Sequence, residues 1–294
     1  MNDFDRRYQV YLQEFEEFLN AEVKSWNTIP QILAESMAYS VLNGGKRIRP
    51  VLMLACADVL RVPHEEVLPF ALALEMIHSY SLVHDDLPAM DNDDFRRGKP
   101  SCHKAFGEDN AILAGDALLN EAYAICFDQC LKGERYALAS KFLNECAGVK
   151  GMIVGQSADL YYSKQSQEKC TEEQLFYIHR HKTGALLLAP VAIPSILAGN
   201  KYYFELEEFG KMLGRLFQIT DDILDVVGDF KNLGKSIGKD AEENKLTYVN
   251  FYGLERAKIC AEEGAKLCHT LLEGINEDTS FLNDLIDYVL NRAR

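Results

Sequence analysis

Two short stretches of the sequence place several aspartates beside apolar residues, where isolated carboxylates are costly. These aspartates are Asp85, Asp86 and Asp91 in the first stretch and Asp221, Asp222 and Asp225 in the second. Two carboxylates about 4 Å apart repel by roughly 4 kcal/mol at an effective dielectric constant of about 20, so a converging group needs cations. Oxygen ligands without His or Cys favour Mg²⁺, which also takes phosphate oxygens from a substrate. The pattern therefore predicts magnesium held between protein carboxylates and a phosphorylated ligand.

The spacing within each stretch indicates how helices would position these carboxylates. At about 100° per residue, the aspartates of the second stretch lie on or close to one helix face with Gln218. In the first stretch, Pro88 cannot continue a helix because its ring clashes with the carbonyl group of His84. The helix should end or bend there, which lets Asp91 fold back towards Asp85. A solvated helix end would explain either stretch alone, but not both.

Basic residues cluster in a few turns of this acidic chain. Lys46, Arg47 and Arg49 lie in a Gly-rich turn that leads into an apolar helix, and Arg96 and Arg97 follow the first acidic stretch. Arg binds phosphate bidentately, whereas Lys acts as a point charge. The mixture therefore favours a diphosphate over a simple carboxylate. Further basic turns lie at 179–184 and 233–236.

Apolar residues recur at steps of three and four along most of the chain, which is typical of amphipathic helices. No sustained alternation of period two competes with this pattern. The helical patterns cover 4–23, 31–42, 51–61, 66–86, 110–130, 134–154, 172–199, 203–228, 247–273 and 279–292. None of the breaks between them is a long linker rich in Pro, Ser or Gly. We therefore expect one all-α domain over residues 1–294, a bundle of about ten or more helices.

The composition excludes several classes of protein. The chain carries 31 basic and 45 acidic residues, a net charge of −14, which argues against a general nucleic-acid-binding protein. The 8 cysteines form no CxxC pair, which favours reduced thiols and a cytoplasmic location. The N-terminal residues fit neither a signal peptide nor a transit peptide. The uncharged stretch Thr183–Asn200 contains Pro190 and Pro194, which favours a buried helix over stable insertion into a membrane.

Taken in order, these motifs resemble those of the trans-isoprenyl diphosphate synthases, and most closely the bacterial farnesyl diphosphate synthases. The matching elements lie between Gly44 and Tyr248. They are Gly44–Pro50, Asp85–Asp91 with Arg96–Gly98, Gly155–Gln156 with Asp159, Lys182–Gly184, Phe217–Asp225 and Gly234–Lys235. Each element alone is a weak signal, but the ordered set is specific. The resemblance implies the all-α isoprenoid synthase fold, with helices around a central catalytic cavity.

The resemblance also implies a reaction and a site. Isopentenyl diphosphate would be joined head to tail to dimethylallyl or geranyl diphosphate, giving (2E,6E)-farnesyl diphosphate and pyrophosphate. The metal ligands, for three Mg²⁺ ions when substrate is bound, would be Asp85, Asp86, Asp91, Asp221 and Asp225. The allylic diphosphate would contact Arg96, Lys182, Thr183, Gln218 and Lys235. Isopentenyl diphosphate would contact Lys46, Arg49, His78 and Arg97.

Three of these residues are expected to take part in the chemistry: Lys182, Thr183 and Gln218. Departure of pyrophosphate leaves an allylic carbocation, which metals and cations favour by stabilising the leaving group. Oxygens of Thr183 and Gln218 could stabilise positive charge without acting as nucleophiles. The released pyrophosphate is expected to accept the proton, because no side chain looks like a dedicated general base. The segment 228–243 is the expected lid that excludes water.

Product length is expected to depend on Tyr80 and Ser81. Tyr80 precedes Asp85 by five residues, so it lies about 7.5 Å deeper along the helix. The resemblance implies that an aromatic residue here, with the longer spacing between Asp85 and Asp91, marks synthases that stop at the fifteen-carbon product. Ser81 shares a helix face with Asp85 and is the second expected determinant. A tyrosine that merely packs in the core is the alternative.

The resemblance further implies a homodimer formed through flat helix faces. The apolar helices at 111–130 and 137–154 could supply these faces, although ordinary core packing would explain the same pattern. Oligomeric state therefore rests on the resemblance alone.

Other functions fit part of the pattern. Geranylgeranyl and geranyl diphosphate synthases would differ only in product length. A class I terpene cyclase shares the first acidic motif, but its second motif would contain Asn, Ser and Glu. A helical metal phosphohydrolase would need more upstream His ligands than His64 and His78. A non-enzymatic partner subunit should have lost acidic residues from at least one motif, and both are intact.

Overall fold

The computed structural model describes residues 2–28, 30–165, 170–227 and 245–292. Helices dominate these residues, which confirms the all-α fold class. The helices are α1 (Asp3–Ser25), α2 (Gln31–Val41), α3 (Ile48–Leu60), α4 (His64–Asp85), α5 (Cys102–Phe106), α6 (Glu108–Cys130), α7 (Glu134–Ala147), α8 (Met152–Ser163), α9 (Glu172–His179), α10 (Ala185–Leu197), α11 (Tyr203–Val227), α12 (Tyr248–Tyr252), α13 (Leu254–Leu272) and α14 (Ser280–Asn291). A 3₁₀ turn, Trp26–Thr28, follows α1, and a π-helical turn, Arg180–Gly184, joins α9 to α10.

The outer helices are amphipathic, as α1 illustrates. Its buried residues Tyr8, Tyr11, Phe15 and Leu19 recur every three or four positions and form one apolar face. Asn2 caps its N-terminus in a capping box, which satisfies backbone N–H groups that a helix leaves unpaired. α1 therefore covers the inner helices with a single face and exposes its charged residues.

Helices α3, α4 and α10 are apolar on several sides and lie in the core. In α10, Pro190 and Pro194 are buried among apolar neighbours, which confirms a buried, Pro-containing helix in the uncharged stretch. By length and composition α4 could cross a membrane, but 72% of its most apolar window is buried inside the structure. A core helix of a globular protein has these same properties.

Two predicted helices are interrupted, so these predictions were wrong in detail. The pattern over 134–154 forms α7 and α8, which are separated by residues 148–151. An added Cβ at Gly151 would lie 2.0 Å from the carbonyl oxygen of Cys146, so only glycine permits this close passage. The pattern over 247–273 divides at Gly253, whose φ of 82° lies in the left-handed region that favours glycine.

A short β-hairpin follows the first acidic motif, where the sequence indicates only a break. Strand β1 (Phe95–Arg96) pairs antiparallel with β2 (Lys99–Pro100). The two turn residues, Arg97 and Gly98, have φ values of 55° and 76°, as a type I′ turn requires. Strands of two residues are too short to show an alternating pattern, which is why sequence periodicity missed them.

Candidate active site

A cavity of about 170 Å³ lies between the C-terminal end of α4, α8 and α11, and we call it the acidic cavity. Its acidic lining residues are Asp85, Asp91, Asp93, Asp159, Asp221, Asp222 and Asp225. Folding thus brings both acidic motifs to one space. Because the donors that they offer are carboxylate oxygens, the chemistry of the cavity fits Mg²⁺ rather than Zn²⁺.

The first acidic motif reaches this cavity because α4 ends at Asp85. The backbone N–H of Asp91 donates to the carbonyl oxygen of Asp85 at 2.9 Å. Asp91 therefore folds back beside Asp85, as the position of Pro88 predicted. Both carboxylates line the cavity.

Asp86 differs from its neighbours, since it is not among the residues that line the acidic cavity. Its side chain is 3% exposed and accepts a hydrogen bond from Arg96 Nε at 3.0 Å. Desolvation by burial raises the pKa of Asp86, although the charge and hydrogen bonds of Arg96 oppose this shift. Arg96 lies on β1 and itself lines the cavity, so the pair fixes an arginine at the edge of the site.

Cations of the chain itself neutralise much of the acidic cavity. The pairs are Lys182 Nζ with Asp159 at 2.6 Å, Lys245 Nζ with Asp91 at 2.7 Å and Arg292 Nη2 with Asp221 at 2.7 Å. Asp85 accepts a hydrogen bond from the Gln156 amide. Within the described residues, no three His, Cys, Asp or Glu side chains form a ready-made ion site. A divalent cation would therefore displace side chains that now neutralise its ligands.

Two of these cations carry no signal in the sequence. Lys245 and Arg292 lie 154 and 71 positions away from the aspartates that they contact. Asp159 and Gln156 belong to the recognised motifs, but sequence reasoning gave them no role. A search for basic clusters could not find the two cations, because their partners are close only after folding.

Burial and pairing set the charges around Lys182. Desolvation raises the pKa of Asp85, and the charge of Lys182 only partly offsets it. At Asp159, desolvation acts to raise the pKa, but the charge and hydrogen bond of Lys182 outweigh it and lower the pKa overall. At Lys182, desolvation acts to lower the pKa, but Asp159 and Asp85 raise it overall. The ammonium group is therefore held in its charged form.

Lys182 and Thr183 lie in the π-helical turn, so the helical pattern predicted over 172–199 is present but contains a π-helical turn that the sequence did not indicate. Single π-helical turns are frequent at functional sites, because the extra residue redirects side chains. Two glycines let neighbouring helices pack on this backbone. An added Cβ at Gly155 of α8 would lie 2.0 Å from the backbone nitrogen of Lys182. An added Cβ at Gly214 of α11 would lie 2.8 Å from Cα of Gly184, the last residue of the turn.

Thr183 and Gln218 meet at the edge of the acidic cavity. The Thr183 hydroxyl donates to Gln218 Oε1 at 2.5 Å, and Gln218 Nε2 donates to Asp222 Oδ1 at 2.7 Å. Asp222 also accepts the backbone N–H of Tyr248 at 2.7 Å. This buried carboxylate therefore orients the Gln218 amide, whose oxygen faces Thr183.

A second cavity, of about 400 Å³, adjoins the acidic cavity at Thr183 and is rich in basic side chains; we call it the cationic basin. It is lined by all four residues that the resemblance assigned to isopentenyl diphosphate: Lys46, Arg49, His78 and Arg97. Arg49 Nε is buried without a hydrogen-bond partner among the described residues. Burial lowers the pKa of His78 well below its usual value, and the charges of Arg49 and Arg97 add to this shift.

Arg47, which lies between Lys46 and Arg49 in the Gly-rich turn, forms its contacts with other residues of the protein. Its side chain is fully buried, with Nη1 at 2.7 Å from Glu75 and Nε at 2.8 Å from Glu16. It also donates to the carbonyl oxygen of Val41 at 2.7 Å. Arg47 lines the basin together with Lys46 and Arg49, but its guanidinium group is occupied by these three partners and anchors the turn.

A third cavity, of about 530 Å³, extends from Asp85 between α4, α6 and α8; we call it the apolar cavity. Tyr80 and Ser81 both line it. Its other apolar side chains include Leu119, Met152, Leu160 and Leu186. Thr183 lines all three cavities, so they meet at this residue. Lys235 and the expected lid at 228–243 lie outside the described residues.

A scan against protein-family models matches residues 30–289 to the polyprenyl synthetase family. The chain belongs to the polyprenyl synthetase family. Its match to a farnesyl diphosphate synthase from Micrococcus luteus is 43% identical over 265 residues, 89% of this chain and 90% of that protein. A chloroplastic geranylgeranyl pyrophosphate synthase from Capsicum annuum is 41% identical over 278 residues, 90% of this chain and 72% of that protein.

Solved structures of polyprenyl synthetase relatives share the whole fold. A geranyltransferase from Legionella pneumophila superposes with a TM-score of 0.86 at 32% identity, over 99% of both chains. A geranyltransferase from Helicobacter pylori, complexed with magnesium and isoprenyl diphosphate, gives a TM-score of 0.84 at 32% identity over 99% of this chain and 97% of that one. This polyprenyl synthetase is therefore a transferase of the short-chain prenyl synthase type, and the relatives leave its product length open.

Proposed function

We propose that this chain condenses isopentenyl diphosphate with dimethylallyl or geranyl diphosphate to give (2E,6E)-farnesyl diphosphate and pyrophosphate. The observation that carries the proposal is the meeting of three cavities at Thr183: an acidic one, a basic one and an apolar one. A metal-bound diphosphate, a second diphosphate and a growing hydrocarbon chain require these three environments within reach of one reacting carbon.

Mg²⁺ is the metal that we assign to the acidic cavity, as in the magnesium complex of the Helicobacter pylori relative. Bound there, it would supply positive charge that stabilises departing pyrophosphate. The ligands that we propose are Asp85, Asp86, Asp91, Asp221 and Asp225, with three ions when substrate is present. Asp86 would have to exchange its contact with Arg96 for this role, since the two are paired here.

The basic side chains of the acidic cavity would hold the allylic diphosphate. Arg96 and Lys182 line the cavity, and Lys235 is assigned on the family motif alone. When the allylic C–O bond breaks, its electron pair leaves with pyrophosphate and the allyl group becomes a cation. The oxygens of Thr183 and Gln218 lie beside this position and can stabilise the cation without attacking it. Neither residue needs to change its protonation state.

The cationic basin would hold isopentenyl diphosphate through Lys46, Arg49, His78 and Arg97. From there its double bond attacks the allylic cation, a C–C bond forms, and one proton is lost. Pyrophosphate in the adjoining cavity is the base that we assign, because His78 faces the other diphosphate and is held neutral by burial. The new chain then extends into the apolar cavity.

Tyr80 supports farnesyl rather than geranylgeranyl diphosphate as the product. Its ring is 5% exposed and lines the apolar cavity one and a half turns below Asp85. A chain that grows from Asp85 would meet this ring. A farnesyl and a geranylgeranyl diphosphate synthase are 43% and 41% identical to this chain, so sequence identity alone does not decide the product length.

A homodimer is the assembly that we propose. Helices α6 and α7 expose large apolar side chains on their outer surfaces, namely Ile112, Leu113, Phe127 and Leu138. Exposed apolar side chains, where they form a patch, are typical of protein interfaces. A single domain over residues 1–294 and a cytoplasmic location complete the proposal, and they follow from the sequence expectations.

Incubation of the purified protein with labelled isopentenyl diphosphate, an allylic diphosphate and Mg²⁺ tests this function directly. The expected product is farnesyl diphosphate, identified by chain length after dephosphorylation, and chelation of Mg²⁺ should abolish its formation. Terpene hydrocarbons, or hydrolysis without chain extension, would contradict the proposal.

Two substitutions test the product-length assignment. Tyr80→Ala should open the cavity and extend the product to twenty carbons or beyond, whereas Ser81→Phe should shorten it to ten. Tyr136→Ala is the matched control, because this buried tyrosine is not among the residues that line the three cavities. An unchanged fifteen-carbon product in both test variants would place the limit on another helix.

A further inference from the structure

Helix α6 approaches α4 closely at Gly115. An added Cβ at Gly115 would lie 2.1 Å from Nε2 of His84 and 2.4 Å from its Cδ2. Atoms cannot approach so closely, so the absence of a side chain at 115 creates the space that the imidazole ring fills. Glycine in a helix interior is unfavourable relative to alanine. The ring position is therefore the evident structural reason for glycine at this site.

Two further contacts hold the ring of His84. Its Nε2 lies 3.1 Å from the carbonyl oxygen of Ile112, which can only accept, so Nε2 carries the proton and donates. The ring also meets Tyr80 edge to face, with centroids 5.7 Å apart and planes at 83°. Such aromatic pairs add to the stability that burial provides.

The Tyr80 ring depends on this packing. Its hydroxyl group is buried and has no hydrogen-bond partner within the described part of the chain. Packing rather than hydrogen bonding therefore fixes where the ring lies, and the His84 ring is one of its direct neighbours. A shift of His84 would change the space available beside Tyr80.

His84 itself lines the apolar cavity, together with Tyr80, Ser81 and Asp116. The ring contacts α6 at Gly115, its Nε2 lies 3.9 Å from the Asp116 carboxylate, and it contacts Tyr80 on another side. The cavity that it lines offers space into which it can move. We propose that His84 is a further product-length residue and that Gly115 is a positioning residue that keeps the ring of His84 out of the growing chain's path. The inference rests on the proposed prenyl transfer and adds α6 to the walls that limit the product.

Gly115→Ala tests the inference with the full-length protein, with the same labelled substrates and Mg²⁺. The added methyl group should push the ring of His84 into the cavity and shift the product towards ten carbons. The ratio of ten- to fifteen-carbon product should rise by roughly tenfold, the discrimination that one methylene-sized change in an apolar pocket provides. His84→Ala should do the opposite and increase products of twenty carbons.

Gly264→Ala is the matched control. It also adds a methyl group to a helical glycine, but its nearest neighbours would lie 3.9 Å away, at ordinary contact distance. Its product distribution should equal that of the unchanged protein. This control separates a local effect of the methyl group at 115 from a general effect of replacing glycine in a helix.

The outcomes distinguish this inference from the function on which it rests. If the unchanged protein forms no prenyl diphosphate, the proposed function fails. If it forms farnesyl diphosphate, and neither Gly115→Ala nor His84→Ala alters chain length, only the present inference is overturned. Complete loss of transfer in both folded variants would also overturn it, because the pair would then act on Asp85 and not on product length.

Discussion

The acidic cavity and the cationic basin are both lined by Thr183, but they differ in how far their charged side chains are paired with opposite charges. In the acidic cavity, aspartates are paired with cations that belong to the chain, such as Lys182 and Lys245. In the cationic basin, the basic groups are crowded together, and Arg49 Nε finds no partner within the described residues. The nearby carboxylate of Glu75 is occupied by Arg47.

The pKa shifts reflect this difference. Desolvation lowers the pKa values of Lys46, Arg49 and Arg97, and neighbouring cations lower those of Lys46 and Arg97 further. In the acidic cavity, the carboxylates raise the pKa of Lys182 despite its burial. The basin has more basic groups than carboxylates, of which Glu75, Asp221 and Asp225 line it, so a diphosphate would add the missing negative charge. In the acidic cavity, a metal-bound ligand would instead replace internal cations. The cationic basin is therefore suited to an anion, and the acidic cavity to a cation.

Removing one carboxylate from the acidic cavity should have the largest effect on activity and tests whether this cavity binds a metal cation. Asp85→Asn or Asp221→Asn should reduce kcat by about 10³-fold or more, because each removes a proposed ligand of the metal that would stabilise the leaving group. Circular dichroism should still report a helical fold. Asp128→Asn, on the exposed face of α6, is the charge-matched control and should retain activity. Near-normal turnover by either test variant would refute the assigned role of the acidic cavity.

The buried histidine beside the acidic cavity should make stability depend on pH. His179 is held neutral because desolvation lowers its pKa from 6.5 to about 4. The charged groups that face it are Asp159 on α8, Lys182 on the π-helical turn and Arg215 on α11. As pH falls from 6.5 to about 4, the unfolded chain binds a proton that the folded chain does not, so the free energy of unfolding falls by about 3 kcal/mol.

Chemical denaturation of the protein and of His179→Asn, measured at several pH values, checks this expectation. The difference in unfolding free energy between the two should change through this pH window and stay constant above neutral pH. A constant difference throughout would show that His179 titrates equally in both states. His78 in the basin should extend the loss to lower pH, because cations rather than a carboxylate face it.

Two substitutions should distinguish the proposed isopentenyl diphosphate site from the proposed allylic diphosphate site by their kinetics. Arg49→Ala should raise the KM for isopentenyl diphosphate by roughly 10- to 100-fold, the cost of one or two charge-assisted hydrogen bonds. Lys182→Ala should instead lower kcat, because we propose that this ammonium group contacts the departing pyrophosphate. Steady-state kinetics with each substrate varied in turn distinguishes the two. The reverse pattern would mean that the allylic and isopentenyl sites are exchanged.

The smallest expected effect is on stability, and it concerns the packing of α13 against α11. Gly264 of α13 packs against α11, and an added Cβ would meet Leu216 and Met212 at ordinary contact distances of 3.9 Å. Gly264→Ala should therefore stabilise the protein by about 0.4–1 kcal/mol, because the unfolded chain loses conformational freedom. Thermal unfolding measures the gain, and kcat should not change. Destabilisation would indicate that α13 cannot accommodate the methyl group.

Local patterns in the sequence determined much of the framework. Apolar periodicity located nearly all the helices, and Pro88 correctly marked the end of α4 at Asp85. The Gly-rich basic turn and both acidic motifs lie at the cavities because each is attached to a helix end or face that the sequence specifies. Such features depend on residues a few positions apart, which is the range over which helix geometry makes a sequence informative.

The tertiary structure alone decided how the charges are distributed. The sequence does not distinguish Arg47, whose guanidinium group is paired with Glu75 and Glu16, from Arg49, whose Nε has no partner within the described residues. It does not connect Lys245 to Asp91 across 154 positions. It also does not reveal the π-helical turn, against which glycines of two other helices pack closely. Burial and pairing arise only when distant segments meet, so their energies are absent from any local pattern.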